Sequence, residues 1–273
     1  MIQAWQITKT QNIKLELKAF SLDEVTRQLP DPDGYYSTFR TFEGCRRVLG
    51  LAAHLQRLYG PVPAPDVSEF WLRGQLFTLL EPYRPDEARV RVMMTKQGRV
   101  YVAIEPLSPL PRQVYETGVR VETTEIQRES PQLKSTAFIA KSDSERKHIV
   151  QAGIFEALLV KDGSILEGMT SNFFYTKDNI LYTAQDDILP GITRKTVIDI
   201  ARGRGVVVRY ETLKRDQLAA VDEAFITSSS RGIVPVIEID KVTVGQGRPG
   251  PITKELLTAY DLYVTEKAEK IQD

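Results

Sequence analysis

Two side-chain chemistries lie close together in one stretch of the chain: a carboxylate, and a helix start suited to binding an anion. Glu167 stands immediately before a short, turn-prone segment that ends at Asn172. Further along, Gly191-Ile192-Thr193 opens a segment with helical periodicity. The first turn of a helix offers free backbone N–H groups and the positive end of the helix dipole, and Thr193 adds a hydroxyl. The stretch therefore combines an acid with a candidate anion site.

Local patterns indicate the elements that would position these groups. The apolar runs NFFYT and ILYT flank residues 177–179, which predicts a β-hairpin. Apolar residues on one face of 193–201 predict a helix that ends near two glycines. The acid would then precede a hairpin, and the anion site would open the helix after it.

The rest of the chain mixes strands, hairpins and helices without a regular βαβ rhythm, which indicates an α+β fold. YYSTFRTF predicts a strand, and residues 50–59, which contain HLQRL, predict a helix. Asp66, with Glu69 three residues later, predicts a capping box for a helix through Leu80. The proline-rich run at 108–111 suggests a small N-terminal α/β domain over 1–107, a linker over 108–117 and a large domain over 118–273.

Composition excludes several classes of function. The 273 residues carry 36 basic and 36 acidic side chains, so nothing favours nucleic acid or an anionic membrane as a partner. No apolar run approaches the roughly 20 residues of a membrane span, and no signal-peptide core is present. Cys45 is the single cysteine, which suits a reducing cytoplasm. With only His54 and His148, a histidine-rich metal site is not expected.

The order of the motifs resembles a known enzyme family. The pattern E-G-x-x-S-N followed by I-L-x-G-I-T-R is similar to the fold-type IV pyridoxal phosphate enzymes. They include branched-chain aminotransferases, D-amino-acid aminotransferases and aminodeoxychorismate lyases. The resemblance implies a two-domain α+β fold with a small N-terminal domain and a larger C-terminal domain, and with pyridoxal 5'-phosphate between them. It also implies a homodimer in which the active site is completed across the interface.

Such an enzyme needs a lysine for a Schiff base, an acid at the pyridine nitrogen, a phosphate site and a hold on the substrate carboxylate. Lys134, in the L-K-S context ahead of the FEALLV strand, matches the family's lysine, and Lys141 is the rival candidate. Glu167 matches the acid that would keep the pyridine nitrogen protonated. Asn172, in the same motif, is assigned to cofactor binding.

The phosphate site is expected to draw on three separate motifs. Arg57 in HLQRL matches the family's H-x-x-R-L arginine, and an arginine suits a phosphate because of its charge and its donors. Ile192 and Thr193 would add backbone amides and a hydroxyl. Ser229 and Ser230 stand where relatives place a threonine and its neighbour. His54 is interpreted as a packed or capping histidine rather than a catalyst.

The substrate side is expected on the strand YSTFRTF. Tyr36, Thr38 and Arg40 alternate along it, so all three should lie on one face. Arg40 could hold a carboxylate with both of its terminal nitrogens, and Tyr36 could bind near the cofactor. Arg91 and Lys96, on the following hairpin, are further candidates for binding the substrate.

The resemblance implies an aminotransferase that moves an amino group between an amino acid, of the D-amino-acid or branched-chain type, and a 2-keto acid. Aminodeoxychorismate lyase is the alternative, and Thr38 and Arg40 favour it. Residues 95–98 argue against the lyase, since they stand where lyases carry an arginine-glycine motif. A relative that binds ligand without catalysis is a third possibility, against which the intact lysine, acid and arginine set argues.

Overall fold

The computed structural model describes residues 2–272. The chain divides into two compact units. The first comprises Met1–Ser108, Leu133–Ala140 and Val264–Asp273, and the second comprises Pro109–Gln132 and Lys141–Tyr263. The predicted segments end the small domain at residue 107, place 108–117 in a linker, and assign 133–140 and 264–273 to the large domain.

Strands and helices are both frequent, as the α+β prediction requires. The strands are β1 Gln3–Ile7, β2 Asn12–Leu15, β3 Gly34–Arg40, β4 Arg47–Val48, β5 Ala88–Thr95, β6 Val100–Pro106, β7 Val119–Thr124, β8 Glu156–Lys161, β9 Ser164–Gly168, β10 Asn172–Lys177, β11 Ile180–Thr183, β12 Val208–Tyr210, β13 Leu213–Lys214, β14 Glu223–Ser228, β15 Gly232–Ile239, β16 Val242–Thr243 and β17 Glu269–Lys270. The helices are α1 Leu22–Gln28, α2 Leu51–Tyr59, α3 Glu69–Leu80, α4 Arg112–Thr117, α5 Ala137–Lys141, α6 Asp143–Gln151, α7 Ile192–Gly203 and α8 Pro251–Lys267.

The first unit is built on a five-stranded sheet in the order β2-β1-β6-β5-β3. Side chains alternate between its two faces, as they must in a strand. Phe39 and Val92 lie on one face with Leu55 of α2 and Leu72 of α3, in the main hydrophobic core. Tyr36, Met93, Tyr101 and Ile139 share a smaller apolar cluster with Leu29, which follows α1. The sheet is therefore covered on both faces.

The segment that contains Lys134 is part of this first unit because its backbone pairs with β3. The amide of Tyr36 donates to the carbonyl of Lys134 at 2.9 Å, and Ser135 forms an isolated bridge with Tyr35. Thr136 donates its amide to the Gly34 carbonyl at 3.0 Å. Pairing across about a hundred residues leaves no local sequence signal, so the predicted domain boundaries did not include it.

Two sequence predictions about local elements need correction. The N-cap of α3 is Ser68, whose hydroxyl accepts from the Trp71 amide, and not Asp66. The predicted linker over 108–117 contains α4, and Leu110, Val114 and Tyr115 pack against the core of the second unit. These three side chains are half-buried and attach the segment to the second unit, so it is not a free connection.

The second unit contains a ten-stranded sheet in the order β12-β11-β10-β14-β15-β7-β8-β9-β13, with β16 beside β15. Six of its strands close on themselves, because β10 also pairs with β9. The closing pair is Asn172 opposite Glu167. The predicted hairpin β10–β11 is confirmed, and its loop residues Asp178 and Asn179 both have positive φ, as a tight two-residue turn requires.

Within residues 2–272, no helix is long and apolar enough to cross a membrane. Over the same residues, no group of three or more His, Cys, Asp or Glu side chains is arranged to hold a metal ion.

Candidate active site

Glu167 lies at the point where the ring of strands in the second unit closes, and its carboxylate is buried. One oxygen accepts from Arg128 Nε at 2.9 Å. The other accepts from the Asn172 side-chain amide and from the Leu189 backbone amide, both at 3.0 Å. Three donors, one of them charged, stabilise the ionised form of a buried carboxyl group. Three hydrogen bonds therefore fix the orientation of the Glu167 carboxylate.

Asn172 connects this carboxylate to the start of α7. Its side-chain nitrogen also donates to the Leu189 carbonyl at 2.8 Å. A Cβ atom on Gly191 would lie 1.9 Å from Asn172 Oδ1, far too close for two non-bonded atoms. Glycine at 191 therefore lets the helix start approach Asn172 closely.

The predicted phosphate residues of the second unit meet at the N-terminus of α7. Ile192 and Thr193 are its first two residues, so their amides have no partner within the helix. Thr193 Oγ1 lies 3.4 Å from Ser229 Oγ, in the turn that joins β14 to β15. Ser230 is the next residue of that turn and is half-buried. Two hydroxyls and a helix N-terminus thus lie together, a donor set that suits an anion.

Lys134 lies in the first unit, directly before the bridge between Ser135 and Tyr35, and is half-buried. Its Nζ is 5.2 Å from the centre of the Tyr36 ring. The guanidinium carbon of Arg91 lies 4.6 Å from the centre of the same ring. Two cations and one aromatic face therefore meet on this side of the sheet. Lys141, the rival lysine, ends α5 and pairs with Glu129 at 3.4 Å.

Arg57 lies on the last turn of α2, one turn after His54. His54 is buried, and one ring nitrogen shares a 2.7 Å hydrogen bond with the hydroxyl of Ser37 on β3. Burial holds the pKa of His54 well below its ordinary value, and the positive charges of Arg57 and Lys134 lower it further. His54 is thus a neutral packing residue beside two cations, in line with the interpretation from sequence.

The alternation predicted for β3 is present, but its polar residues differ in their surroundings. Arg91 stands opposite Thr38 and donates Nε to its hydroxyl at 3.0 Å. The other end of the Arg91 guanidinium binds Asp23 at 2.7 Å and Thr26 at 3.0 Å, both on α1. Arg91 therefore fastens α1 to the sheet.

Arg40 and Lys96, two other substrate candidates, lie far apart along the same pair of strands. In the β3–β5 register Arg40 is opposite Arg89, whereas Gly34 is opposite Thr95, next to Lys96. Seven residue steps of a strand separate them, or about 23 Å. Lys96 is exposed and pairs with Asp33 at 2.8 Å. Arg40 lies over the Phe42 ring at 4.8 Å, and its buried Nε has no hydrogen-bond partner.

Sequence reasoning missed two ion pairs in the second unit. Arg128 with Glu167 is one, and Arg231 with Glu156, at 2.9 Å, is the other. The partners are 39 and 75 residues apart, so no local spacing marks them. A weak signal was available for Arg231, since it follows the predicted Ser229-Ser230 pair directly.

Comparison with known proteins decides the family. The family described as Amino-transferase class IV matches residues 34–239, which is most of the chain. The chain belongs to the class IV aminotransferases. D-alanine aminotransferase of Bacillus licheniformis is 27% identical over 87% of this chain and 90% of its own length. Branched-chain-amino-acid aminotransferase of Escherichia coli is 38% identical over 46% of this chain and 40% of its own.

The fold agrees with that assignment. A branched-chain amino acid aminotransferase of T.th., solved with pyridoxamine 5'-phosphate, superimposes with a TM-score of 0.80 at 23% identity, over 99% of this chain and 98% of that one. The predicted two-domain fold-type IV class and the predicted family are thereby confirmed. The protein is a pyridoxal phosphate-dependent aminotransferase.

The residues of this aminotransferase fit the cofactor chemically. A pyridine nitrogen that must stay protonated needs a fixed carboxylate, and Glu167 is one. A phosphate needs amide and hydroxyl donors, and the α7 N-terminus with Thr193 and Ser229 offers them. The donor set of the second unit therefore suits both ends of pyridoxal phosphate.

Proposed function

We propose that this aminotransferase moves the amino group of an amino acid, of the D-alanine or branched-chain type, to a 2-keto acid. The names of its relatives support that donor class. The observation that carries the proposal is the buried Glu167 carboxylate with its three donors. A carboxylate held ionised in this way can hold a proton on a pyridine nitrogen, whereas an amide could not.

Lys134 is the proposed catalytic lysine. Bound pyridoxal phosphate withdraws electrons from the substrate Cα, so that the proton on that carbon can leave. The Nζ of Lys134, as a neutral amine, would take this proton and deliver it to the C4′ carbon of the cofactor, and would move a proton the opposite way when the keto acid is aminated. The Tyr36 ring, 5.2 Å away, supports the position of Nζ in this role.

The cofactor phosphate is assigned to the amides of Ile192 and Thr193, the hydroxyls of Thr193 and Ser229, and the neighbouring Ser230. Arg57 would add positive charge. The 3.4 Å approach of the two hydroxyls supports this grouping. Asn172 serves indirectly, since it fixes Glu167 at one oxygen and packs against the glycine before α7.

Arg40 is the proposed receptor of the substrate carboxylate. Its Nε lacks a partner, whereas Arg91 is bound to Asp23 and Lys96 to Asp33. Tyr36 and Thr38 lie on the same face of β3 and would shape the pocket around the substrate. An arginine fork matches a carboxylate with two parallel hydrogen bonds, so it would favour amino acids over simple amines.

A donor panel tests the activity. The holoenzyme is mixed, without an acceptor, with the D- and L-forms of alanine, leucine and valine and with 1-phenylethylamine. The proposal expects one keto acid per bound cofactor from at least one of these amino acids, without free ammonia, and a reversal when a 2-keto acid is added. Pyruvate released from aminodeoxychorismate, with no keto acid from any amino acid, would establish the lyase instead.

We also propose a homodimer that works in the cytoplasm. The family resemblance supports the dimer, and a single, buried cysteine suits a reducing compartment. Amino acids and 2-keto acids are the proposed small-molecule partners.

A further inference from the structure

The second unit contains a pair of opposite charges that the proposed chemistry does not use. The Arg231 guanidinium donates from Nη2 to Glu156 Oε2 at 2.9 Å. The Glu156 side chain is 2% exposed and that of Arg231 22%. Desolvating two charges costs free energy, which their mutual attraction offsets only when further hydrogen bonds are present. Such bonds exist on both sides of the pair, and each leads to a different loop.

On one side, Glu156 holds the turn that follows Glu167. Its Oε2 accepts from the hydroxyl of Thr170 at 2.6 Å and from that of Ser171 at 3.3 Å. A Cβ atom on Gly168 would lie 3.1 Å from Glu156 Cγ, so the turn packs tightly on this side chain. The chain between Glu167 and Asn172 is therefore attached to the first residue of β8.

On the other side, Arg231 holds the turn that contains the two serines. This turn, Ser229–Arg231, joins β14 to β15, and Ser228 opposite Gly232 closes it. Arg231 Nε donates to Ser228 Oγ at 3.2 Å, and Nη2 also donates to Thr170 Oγ1 at 2.6 Å. The Arg231 carbonyl accepts from the Tyr115 hydroxyl at 3.0 Å. One guanidinium thus bridges the serine turn and the turn behind Glu167.

We propose that the Arg231–Glu156 ion pair is a positioning clamp. It holds the Ser229 hydroxyl close to that of Thr193, so that both can bind the same phosphate. The inference rests on the proposed phosphate site. The clamp does not touch the cofactor, and it acts through the geometry of the serine turn. The same pair also contacts the turn behind Glu167, but the Glu167 carboxylate itself is held by other donors, so losing the clamp should affect the phosphate end of the site.

The test compares pyridoxal 5'-phosphate with pyridoxal, which lacks the phosphate, as ligands of the full-length apoenzyme. Dissociation constants are measured for wild type, Arg231→Ala, Arg231→Lys and Ser229→Ala. The clamp predicts that Arg231→Ala weakens pyridoxal phosphate binding about tenfold or more, the factor that one lost charged hydrogen bond represents. Pyridoxal binding should change little, and Arg231→Lys should lie between alanine and wild type.

Arg231→Ala leaves the buried Glu156 charge without its arginine, so this variant could fold poorly. The double variant Glu156→Gln with Arg231→Met removes both charges and keeps the side-chain volumes. It should unfold at nearly the wild-type temperature and still show the phosphate-specific loss. Equal losses for both ligands, or unchanged binding in the double variant, would overturn the clamp.

Ser229→Ala separates this inference from the function on which it rests. If Ser229→Ala weakens pyridoxal phosphate binding and the two clamp variants do not, the phosphate site stands and the clamp is refuted. If Ser229→Ala and the clamp variants all bind as wild type does, both the assigned phosphate site and the clamp are refuted.

Discussion

The groups around Glu167 differ in how they hold its carboxylate. The Asn172 side chain and the Leu189 backbone amide both donate to one oxygen of the Glu167 carboxylate, and Arg128 donates to the other. Arg128 also donates to the Met169 carbonyl at 2.6 Å, so its position is fixed by the chain and not by Glu167 alone. A rigid cation behind the carboxylate stabilises its ionised form.

Arg40 provides the first prediction at this scale. Arg40→Ala should raise the KM for amino acids, by about 1.5–3 kcal/mol in binding free energy for a lost charged hydrogen bond. Turnover of 1-phenylethylamine, which has no carboxylate, should change far less. Steady-state kinetics with both donors measure the difference, and Arg40→Lys should restore only part of it because a point charge cannot grip both oxygens.

A matched arginine on the same unit serves as the control for Arg40. Arg73 on α3 pairs with Glu69 one turn earlier and has no proposed role. Arg73→Ala should leave both KM values as in wild type. Amino-acid kinetics that remain intact in Arg40→Ala would move the carboxylate to Arg91 or Lys96.

His54 gives a prediction about pH. Its pKa is held below the ordinary histidine value of about 6.5 by burial, and then by Arg57 and Lys134. The unfolded chain therefore binds a proton on this residue at a higher pH than the folded chain does. The resulting stabilisation is fully present above about pH 6.5 and is lost as the pH falls below it, by up to about 1.4 kcal/mol per pH unit.

The comparison of wild type with His54→Gln isolates this contribution, because glutamine does not titrate. Unfolding temperatures measured between pH 8 and pH 5 should fall more steeply below about pH 6.5 for wild type than for His54→Gln. Parallel curves for the two proteins across that range would show that His54 has an ordinary pKa.

At the scale of elements, the start of α7 depends on one glycine. Gly191→Ala should displace Asn172, since its Cβ would fall 1.9 Å from Asn172 Oδ1, and so disturb both Glu167 and the helix N-terminus. We expect weaker cofactor retention on dialysis. Gly203, at the other end of α7, is the matched control because a Cβ there meets nothing within 4 Å. Gly203→Ala should keep the cofactor and stabilise the helix by up to about 1 kcal/mol.

The same elements show what the sequence could and could not predict. The β10–β11 hairpin and helix α7 were predicted because turn residues and apolar periodicity are local signals. The predicted cap of α3 is wrong because Asp66 and Ser68 both have side chains that suit an N-cap. Only the backbone distinguishes them, since Ser68 is extended and stands directly before the first helical residue, Glu69. Elements were thus predictable, and their ends less so.

Contacts between distant parts of the chain could not be predicted from local sequence patterns. The pairing of the Lys134 segment with β3 and the partners of Glu167 and Glu156 join residues dozens of positions apart. Lys134 is proposed only through the family resemblance, because a half-buried lysine has no spacing that distinguishes it from a surface one. Arg91 is a substrate candidate by its position on the hairpin, and its ion pair with Asp23 has no signal in the sequence.

At the scale of the whole molecule, the family resemblance leads to a prediction about assembly. If the active site is completed across a dimer interface, the protein should be a dimer at its working concentration. Light scattering coupled to size exclusion should give twice the 30.9 kDa of one chain. Specific activity should fall on dilution below the dimer dissociation constant. A fully active monomer would contradict this prediction.

The central claim for the molecule is that Lys134 is the residue that holds pyridoxal phosphate and moves the substrate proton. Borohydride reduction of the holoenzyme fixes the cofactor to the lysine that carries it, and peptide mass spectrometry then locates the modified residue. The claim predicts a single pyridoxyl-phosphate modification, on Lys134, that is absent when an excess of the best amino donor is added before reduction. A modification on Lys141 or any other lysine, or none on a fully loaded enzyme, would contradict it.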